Sequence, residues 1–286
     1  MFNIKNRQGF PFFYAGVDYK DTEEWLIQND CLRLLSYVND KRTIERRCAR
    51  GVKTFVDSGA FSAMNRGLEI NVDDYIEFIN THHENLLAYC QWDYIPLKQE
   101  LAEEYANKTW NNYVYMKERV KDSSKLVYCY HHMEDIKWLK QAIDSGVRLI
   151  AIGGIAKKSK KVRYEFLTQI EELIKQYPNE EFVFHAFGMT AVDVLQRFKF
   201  ITSADSSTWL YAPKFAEIET SVCKKLYFGD DLTKPHHFEN QDLLLQTDIE
   251  EELEQYGFTV EDMKVRRHRS LYQAKFWKNK MLNLVR

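Results

Sequence analysis

The sequence predicts a (β/α)8 barrel, on three observations. Short β-branched or aromatic runs alternate with amphipathic stretches up to about residue 210. Acids and glycines recur where those runs end. The length of 286 residues suits one such barrel, which commonly needs ~250 residues. Seven βα units are too many for most open sheets of this length, so closure is the better fit.

The first run lies near 12–17, and Glu23–Val38 follows it as an amphipathic helix. Further runs near 53–56, 86–92, 125–130, 148–152, 181–187 and 199–203 read as strands two to seven. Between them Asp73–His82, Glu100–Val120, Met133–Ser145, Arg163–Tyr177 and Ala191–Phe198 carry helical periodicity. Beyond Pro213 the rhythm is lost. Phe215–Tyr227 is left to supply an eighth strand or a helix, Gly229–Asn240 reads as a loop, and Asp248–Gln255 and Val260–Leu284 read as helices. The expected organisation is a barrel over 1–228, irregular at its last unit, and a helical, basic appendage over 229–286. No low-complexity linker marks the boundary, and no signature repeats with the spacing of ~30–40 residues, which argues against a solenoid.

Composition narrows the class. A hydrophobic share of 45% supports a large core, and 14% aromatic residues imply many half-buried rings with polar tips. Five scattered cysteines without a CxxC pair fit a reduced, cytoplasmic setting better than a disulfide framework. No run of 18 apolar residues occurs, and Met1-Phe-Asn-Ile-Lys5 lacks a signal-peptide core, so no membrane association is expected. The net charge of −2 predicts no polyanion partner by itself. Its distribution says more: eight Lys/Arg and no acid lie between Lys264 and Arg286, and Lys157, Lys158, Lys160, Lys161 and Arg163 form a second basic cluster.

In a barrel, residues at the C-terminal ends of strands converge on one mouth. Asp57, Asp93, His131, His132, Gly153, Gly154, His185, Gly188 and Asp205 all fall at such ends. Taken singly, each has an ordinary role: Asp57 and Asp205 as helix caps or Asx-turns, Asp93 as a strand terminator, His185 as a satisfied core histidine, and the glycine pair as a tight turn. Taken together they describe a shared site. Two carboxylates can divide the work of nucleophile and acid/base at an anomeric carbon, a requirement common to sugar chemistry and to base exchange on nucleosides. A metal site needs a further ligand that nothing local supplies.

The ordered motifs Asp-Ser-Gly-Ala-Phe (57–61), Trp-Asp (92–93), Ile-Gly-Gly-Ile (152–155), His-Ala-Phe-Gly-Met (185–189) and Ala-Asp-Ser-Ser (204–207) resemble the tRNA-guanine transglycosylases. They resemble most their compact bacterial and phage relatives that insert 7-deazaguanines into DNA, and the likeness covers roughly residues 50–210. It implies an irregular (β/α)8 barrel, Asp205 as the nucleophile attacking C1′, Asp57 as general acid/base, and Asp93 as reader of the purine edge. Ser58, Gly59, Phe61, His132 and His185 are implied around the base. Gly153 and Gly154 would form a backbone platform beside it, with Gly188 and Met189 as the wall against which it stacks.

The departures are specific. The family has Gly-Gly-Phe-Gln where this chain has Gly59-Ala60-Phe61-Ser62, and Gln-Gln-Gly where it has Tyr130-His131-His132. The family's structural zinc needs a Cys-x-Cys-x-x-Cys cluster and a His after the nucleophile, whereas beyond Asp205 this chain has only Cys223. No cofactor is therefore expected, and the polymer implied is DNA rather than tRNA, with a 7-deazaguanine such as preQ0 as co-substrate. For gripping that polymer, Lys157, Lys158, Arg266, Arg267, Arg269 and Lys275 are the candidates, with Tyr272, Phe276 and Trp277 interleaved as stacking rings. Alternatives are tRNA exchange, an N-glycosidase that uses water, and a catalytically silent nucleic-acid-binding barrel.

Overall fold

The computed structural model describes residues 9–16 and 18–284. The chain start, Val17 in the first run, and Arg286 of the basic tail lie outside the described residues. The chain divides into two compact units, one holding Leu32–Ser206 with the residues up to Ala15, the other holding Gly16–Cys31 and Ser207–Asn283. The boundary thus falls after Ser206 rather than at 228. No helix among the described residues is long and apolar enough to cross a membrane.

The first unit is a closed barrel of eight parallel strands in sequential order: β1 (Phe12–Ala15), β2 (Leu32–Ser36), β3 (Thr54–Asp57), β4 (Leu86–Cys90), β5 (Leu126–His131), β6 (Leu149–Gly153), β7 (Val183–Ala186) and β8 (Ile201–Ser206). In chain order the helices are α1 (Lys20–Gln28), α2 (Tyr37–Ala49), α3 (Ala60–Arg66), α4 (Val72–His82), α5 (Ala102–Lys117), α6 (Ile136–Asp144), α7 (Lys160–Ile174) and α8 (Val192–Arg197). Of these, α1 falls in the second unit. The ring closes where β1 meets β8, with Phe13 opposite Asp205.

One strand was concealed in the sequence. Glu23–Val38, expected as a single helix, holds the end of α1, a turn, β2 and the start of α2. Asn29 and Asp30 break the helix, and Asp30 adopts a left-handed φ of 51°, which Asp tolerates better than most residues. Leu32 and Leu34 then face the barrel interior, while Arg33 between them is buried on the other face. The six later runs are therefore β3 to β8, and His131 ends the fifth strand, not the fourth. Phe215–Tyr227 contributes no barrel strand.

The interior follows the period-two rule for strands. Phe13, Ala15, Leu32, Leu34, Phe55, Ala88, Cys90, Val127, Cys129, Ala151 and Val183 form one apolar cluster. Phe13, Phe55 and His185, from three odd-numbered strands, meet with ring centroids 5.0–5.5 Å apart. Such layers of side chains from alternate strands fill a barrel of this size, so it is a packed core and not a pore.

The second unit contains α1, α9 (Thr208–Lys214), a two-stranded antiparallel pair β9 (Glu217–Ile218) and β10 (Leu226–Tyr227), α10 (Leu243–Gln255) and α11 (Arg266–Leu282). Tyr272, Phe276 and Trp277 of α11 are buried, and α11 packs on α1 and α9. Glu252 of α10 is buried too, and it accepts from the Tyr272 hydroxyl at 2.7 Å and from Ser221 N at 2.9 Å.

Candidate active site

Adding two residues to the last apolar interior position of β3, β5, β6 and β7 gives Asp57, His131, Gly153 and His185. On β8, Ser203 pairs with His185, so Ser203 and Asp205 share the inward parity. Strand periodicity alone therefore aims these side chains at the C-terminal mouth of the barrel.

Asp93 arrives differently. After β4 the chain leaves the ladder, and the buried Gln91 carboxamide replaces the lost pairing: its Oε1 accepts from Cys129 N at 2.9 Å and its Nε2 donates to Cys129 O at 3.4 Å. The departing backbone carries Asp93 to the buried Ser58 hydroxyl, which donates to Asp93 Oδ1 at 2.8 Å. His131 Nε2 donates to Asp93 Oδ2 at 2.9 Å. On its other side His131 Nδ1 donates to Glu134 Oε1 at 3.1 Å. Both partners are carboxylates, so the ring donates from both nitrogens. Burial by itself would hold the imidazole pKa down, but the bonds to Asp93 and Glu134 outweigh it and lift it to about 10. Burial pushes Glu134 upward, and His131 opposes that shift.

Asp205 is buried at the end of β8, and two donors fix its Oδ1: His185 Nε2 at 3.1 Å and Gly188 N at 3.0 Å. A carboxylate only accepts, so His185 Nε2 carries a proton, and Nδ1 hydrogen-bonds with the Ser203 hydroxyl at 2.9 Å. Both of these bonds fall on Oδ1, and among the described residues none falls on Oδ2. Ser203, His185 and Asp205 have the composition of a hydrolase triad with its polarity reversed. Ser203 is fully buried beneath the histidine, and the acid stands at the mouth. A nucleophilic serine is thereby excluded, and the reactive end of this chain of groups is the carboxylate.

Asp57 completes the set. Burial, then the charges of Asp93 and Asp205, raise its carboxyl from 3.8 to about 7, against the pull of Gly59 N and His131. Gly59 N donates to Asp57 Oδ2 at 3.2 Å. That contact requires the left-handed φ of 82° at Gly59. A Cβ at Gly59 would also lie 2.5 Å from Ser36 Oγ and 2.8 Å from Val38. Gly59→Ala is therefore expected to cost ~1–3 kcal/mol. Gly67, with φ 62° and open space around it, provides the control in which only backbone strain acts. Equal drops in thermal midpoint for the two alanine variants would contradict this account.

Of the expected site residues, Asp57, Ser58, Gly59, Asp93, Gly153, His185, Gly188 and Asp205 thus lie together at the barrel mouth. Met189 is buried beside Gly188. His132 does not belong with them: strand alternation turns it outward, where its half-buried ring meets Phe166 of α7 edge-on at 5.5 Å. His131 takes the place expected of it. Gly153 also has a role other than a bare platform, since a Cβ there would sit 2.9 Å from His131 Cδ2. Gly154, with φ 78°, lies against the Cβ of His132. Phe61 stands exposed in the first turn of α3. Sequence reading missed Glu134, Ser203 and Gln91. Period-two parity would have found Ser203, two residues before Asp205.

The basic candidates separate into two kinds. Lys157 is exposed and Lys158 half-buried in the loop before α7. Arg269 is buried and donates to the carbonyls of Pro213 and Met263, so it is a structural residue and not a phosphate ligand. Lys275 donates to Tyr256 O at 2.8 Å, Arg267 pairs with Asp21 at 2.6 Å, and Arg266 lies over the Tyr19 ring. The buried rings of Tyr272, Phe276 and Trp277 are not available for stacking on bases.

Beyond Asp205, the cysteine and the histidines each engage a different partner. Cys223 donates to Lys225 O, His236 pairs with Glu217, His237 contacts Gly229 O, and His268 pairs with Asp262. Among the described residues no group of three or more His, Cys, Asp and Glu is arranged to hold a metal ion. No protein-family model and no curated protein sequence matches this chain.

Proposed function

We propose that the protein is a base-exchanging transglycosylase that replaces guanine in a polynucleotide with a 7-deazaguanine by double displacement. The observation that carries this reading is the contrast between two acids at one mouth. Asp205 is held by one oxygen with the other open, and Asp57 is poised near 7. Such a pair suits a nucleophile and a proton carrier.

In the first displacement, Asp205 Oδ2 bonds to C1′ of the nucleotide as the C1′–N9 bond breaks, and the electron pair leaves with guanine. Protonated Asp57 gives its proton to the departing base. In the second, the Asp57 carboxylate takes the N9 proton of the incoming base, and that nitrogen displaces Asp205 from C1′. Protons and charge balance over the cycle. A value near 7 lets one group serve both directions at neutral pH. A guanine within duplex DNA would have to be flipped out to reach Asp205.

DNA is favoured over tRNA because the resemblance is to the DNA-modifying relatives and the residues beyond Asp205 do not fit the zinc site of the tRNA enzymes. Mass spectrometry of nucleosides from DNA and from tRNA, each incubated with the protein and candidate 7-deazaguanines, tests the reading. The expected result is a 7-deazaguanine deoxynucleoside and released guanine in equal amounts. Free guanine with abasic sites and no incorporation would point to an N-glycosidase. No change in either polymer would sink the proposal.

A further inference from the structure

Glu134 is a buried acid that the double displacement does not use. It lies in the turn after β5, where its backbone N donates to His131 O at 3.2 Å. Met133 adopts a left-handed φ of 85° in that turn. A non-glycine residue persists there only where surrounding contacts hold it, at a cost of ~1 kcal/mol or more. The turn brings Glu134 Oε1 to His131 Nδ1, while Oε2 is buried without a hydrogen-bond partner. Along one edge of the ring, the lack of a side chain at Gly153 leaves room for Cδ2, which would lie 2.9 Å from a Cβ there. His131 is thus held at both nitrogens.

We infer that Glu134, His131 and Asp93 form a positioning relay, in which Glu134 keeps His131 doubly protonated and His131 fixes Asp93 for base recognition. Asp93 accepts once at each oxygen, from Ser58 and from His131. A carboxylate has about four acceptor directions, so two remain for the donors of a bound base. A neutral His131 would keep only one ring proton to share between the two acids, and Asp93 or Glu134 would lose its donor. Both histidine and glutamate here are positioning residues, acting through Asp93. What the relay serves rests on the transglycosylase reading, but its existence does not.

Three titratable groups face His131: Asp93 from the segment after β4, Glu134 from the turn after β5, and Asp57 from β3. On the β6 side Gly153 approaches, and the phenols of Tyr128 and Tyr130 lie toward Glu134. Removing the Glu134 charge while keeping its shape should therefore release the ring.

Histidine-ring NMR across pH tests this on the full chain, with exchange kinetics alongside. In the wild type, His131 should carry both protons at pH 8. In Glu134→Gln its titration should move down by about 1–3 pH units. The KM for the incoming base should rise ~10-fold or more, with kcat within about threefold. A purely structural role would lower stability without moving the ring titration. A singly protonated His131 in the wild type at pH 8 overturns the relay even if the variant does not fold, and so does an unchanged titration in Glu134→Gln. A doubly protonated ring that loses its proton in the variant, in a protein showing no base exchange, supports the relay and removes the transglycosylase reading.

Discussion

Asp205→Asn should abolish base exchange, with a loss of ~10⁴-fold or more, because the amide cannot attack C1′ to form the glycosyl ester. The substitution keeps the volume and one acceptor oxygen, so the bonds from His185 Nε2 and Gly188 N can persist and the fold should be retained. The measurement is mass spectrometry of the intact protein after denaturing quench with an oligonucleotide. Wild type should show a covalent adduct, and the variant none. An adduct that survives in Asp205→Asn would transfer the nucleophile to another residue, Asp57 being the first to examine. Undiminished exchange would remove the double displacement altogether.

Asp57→Asn should have two opposite effects. Exchange should fall ~10²- to 10⁴-fold through loss of the proton carrier. Stability at pH 8 should rise by about 1–3 kcal/mol, a range reduced from the full shift because the group is partly exposed. The sign follows from the raised carboxyl, about 7 when folded against 3.8 as the reference. Below about pH 4 both states hold the proton, and the group contributes no difference. Between about 4 and 7 the unfolded chain releases it first, so folded stability falls as pH rises, and above 7 the cost is complete. Thermal melts of both proteins at pH 4 and pH 8 check this, the variant gaining only at the higher pH. A gain of equal size at both would mean that the effect is packing rather than charge. Wild-type kcat/KM should bend near pH 7, and the bend should vanish in the variant.

Much of the barrel was legible because seven of its strands are short apolar runs, most of them ending on or close to an acid or a glycine. β2 was not, since Arg33 interrupts Leu32-Arg-Leu-Leu35 and Ser36 runs directly into α2 without a separating turn. A buried arginine on the outer face of a barrel strand looks, in sequence, like the polar face of a helix. The site was legible where one rule, position at a strand end, sufficed: Asp57, Asp205, His185 and Gly188. It failed where parity mattered, as in the choice of His132 over His131, because a strand miscounted or extended by one residue exchanges the two faces. It failed again for Glu134, whose approach depends on a left-handed methionine that no local pattern announces. The basic helix α11 shows the limit of charge counting. Arg269 is spent on backbone carbonyls, and the aromatic residues among the lysines are core.

The seam of the barrel has a consequence for when this site comes into being. Phe13 pairs with Asp205, positions separated by 205 − 13 = 192 residues. A contact of such high sequence separation forms late, because loop closure must precede any gain from it. During synthesis β1 emerges first and waits for β8, and until they zip together the proposed nucleophile has no neighbour on one side. His131, Asp93 and Ser58 belong to strands and turns closer together in sequence, and by the same argument should assemble earlier. A half-built chain would therefore hold Ser58, Asp93 and His131 in order before Asp205 had both its neighbouring strands, so under the proposed function reactivity would arrive with the last step of folding.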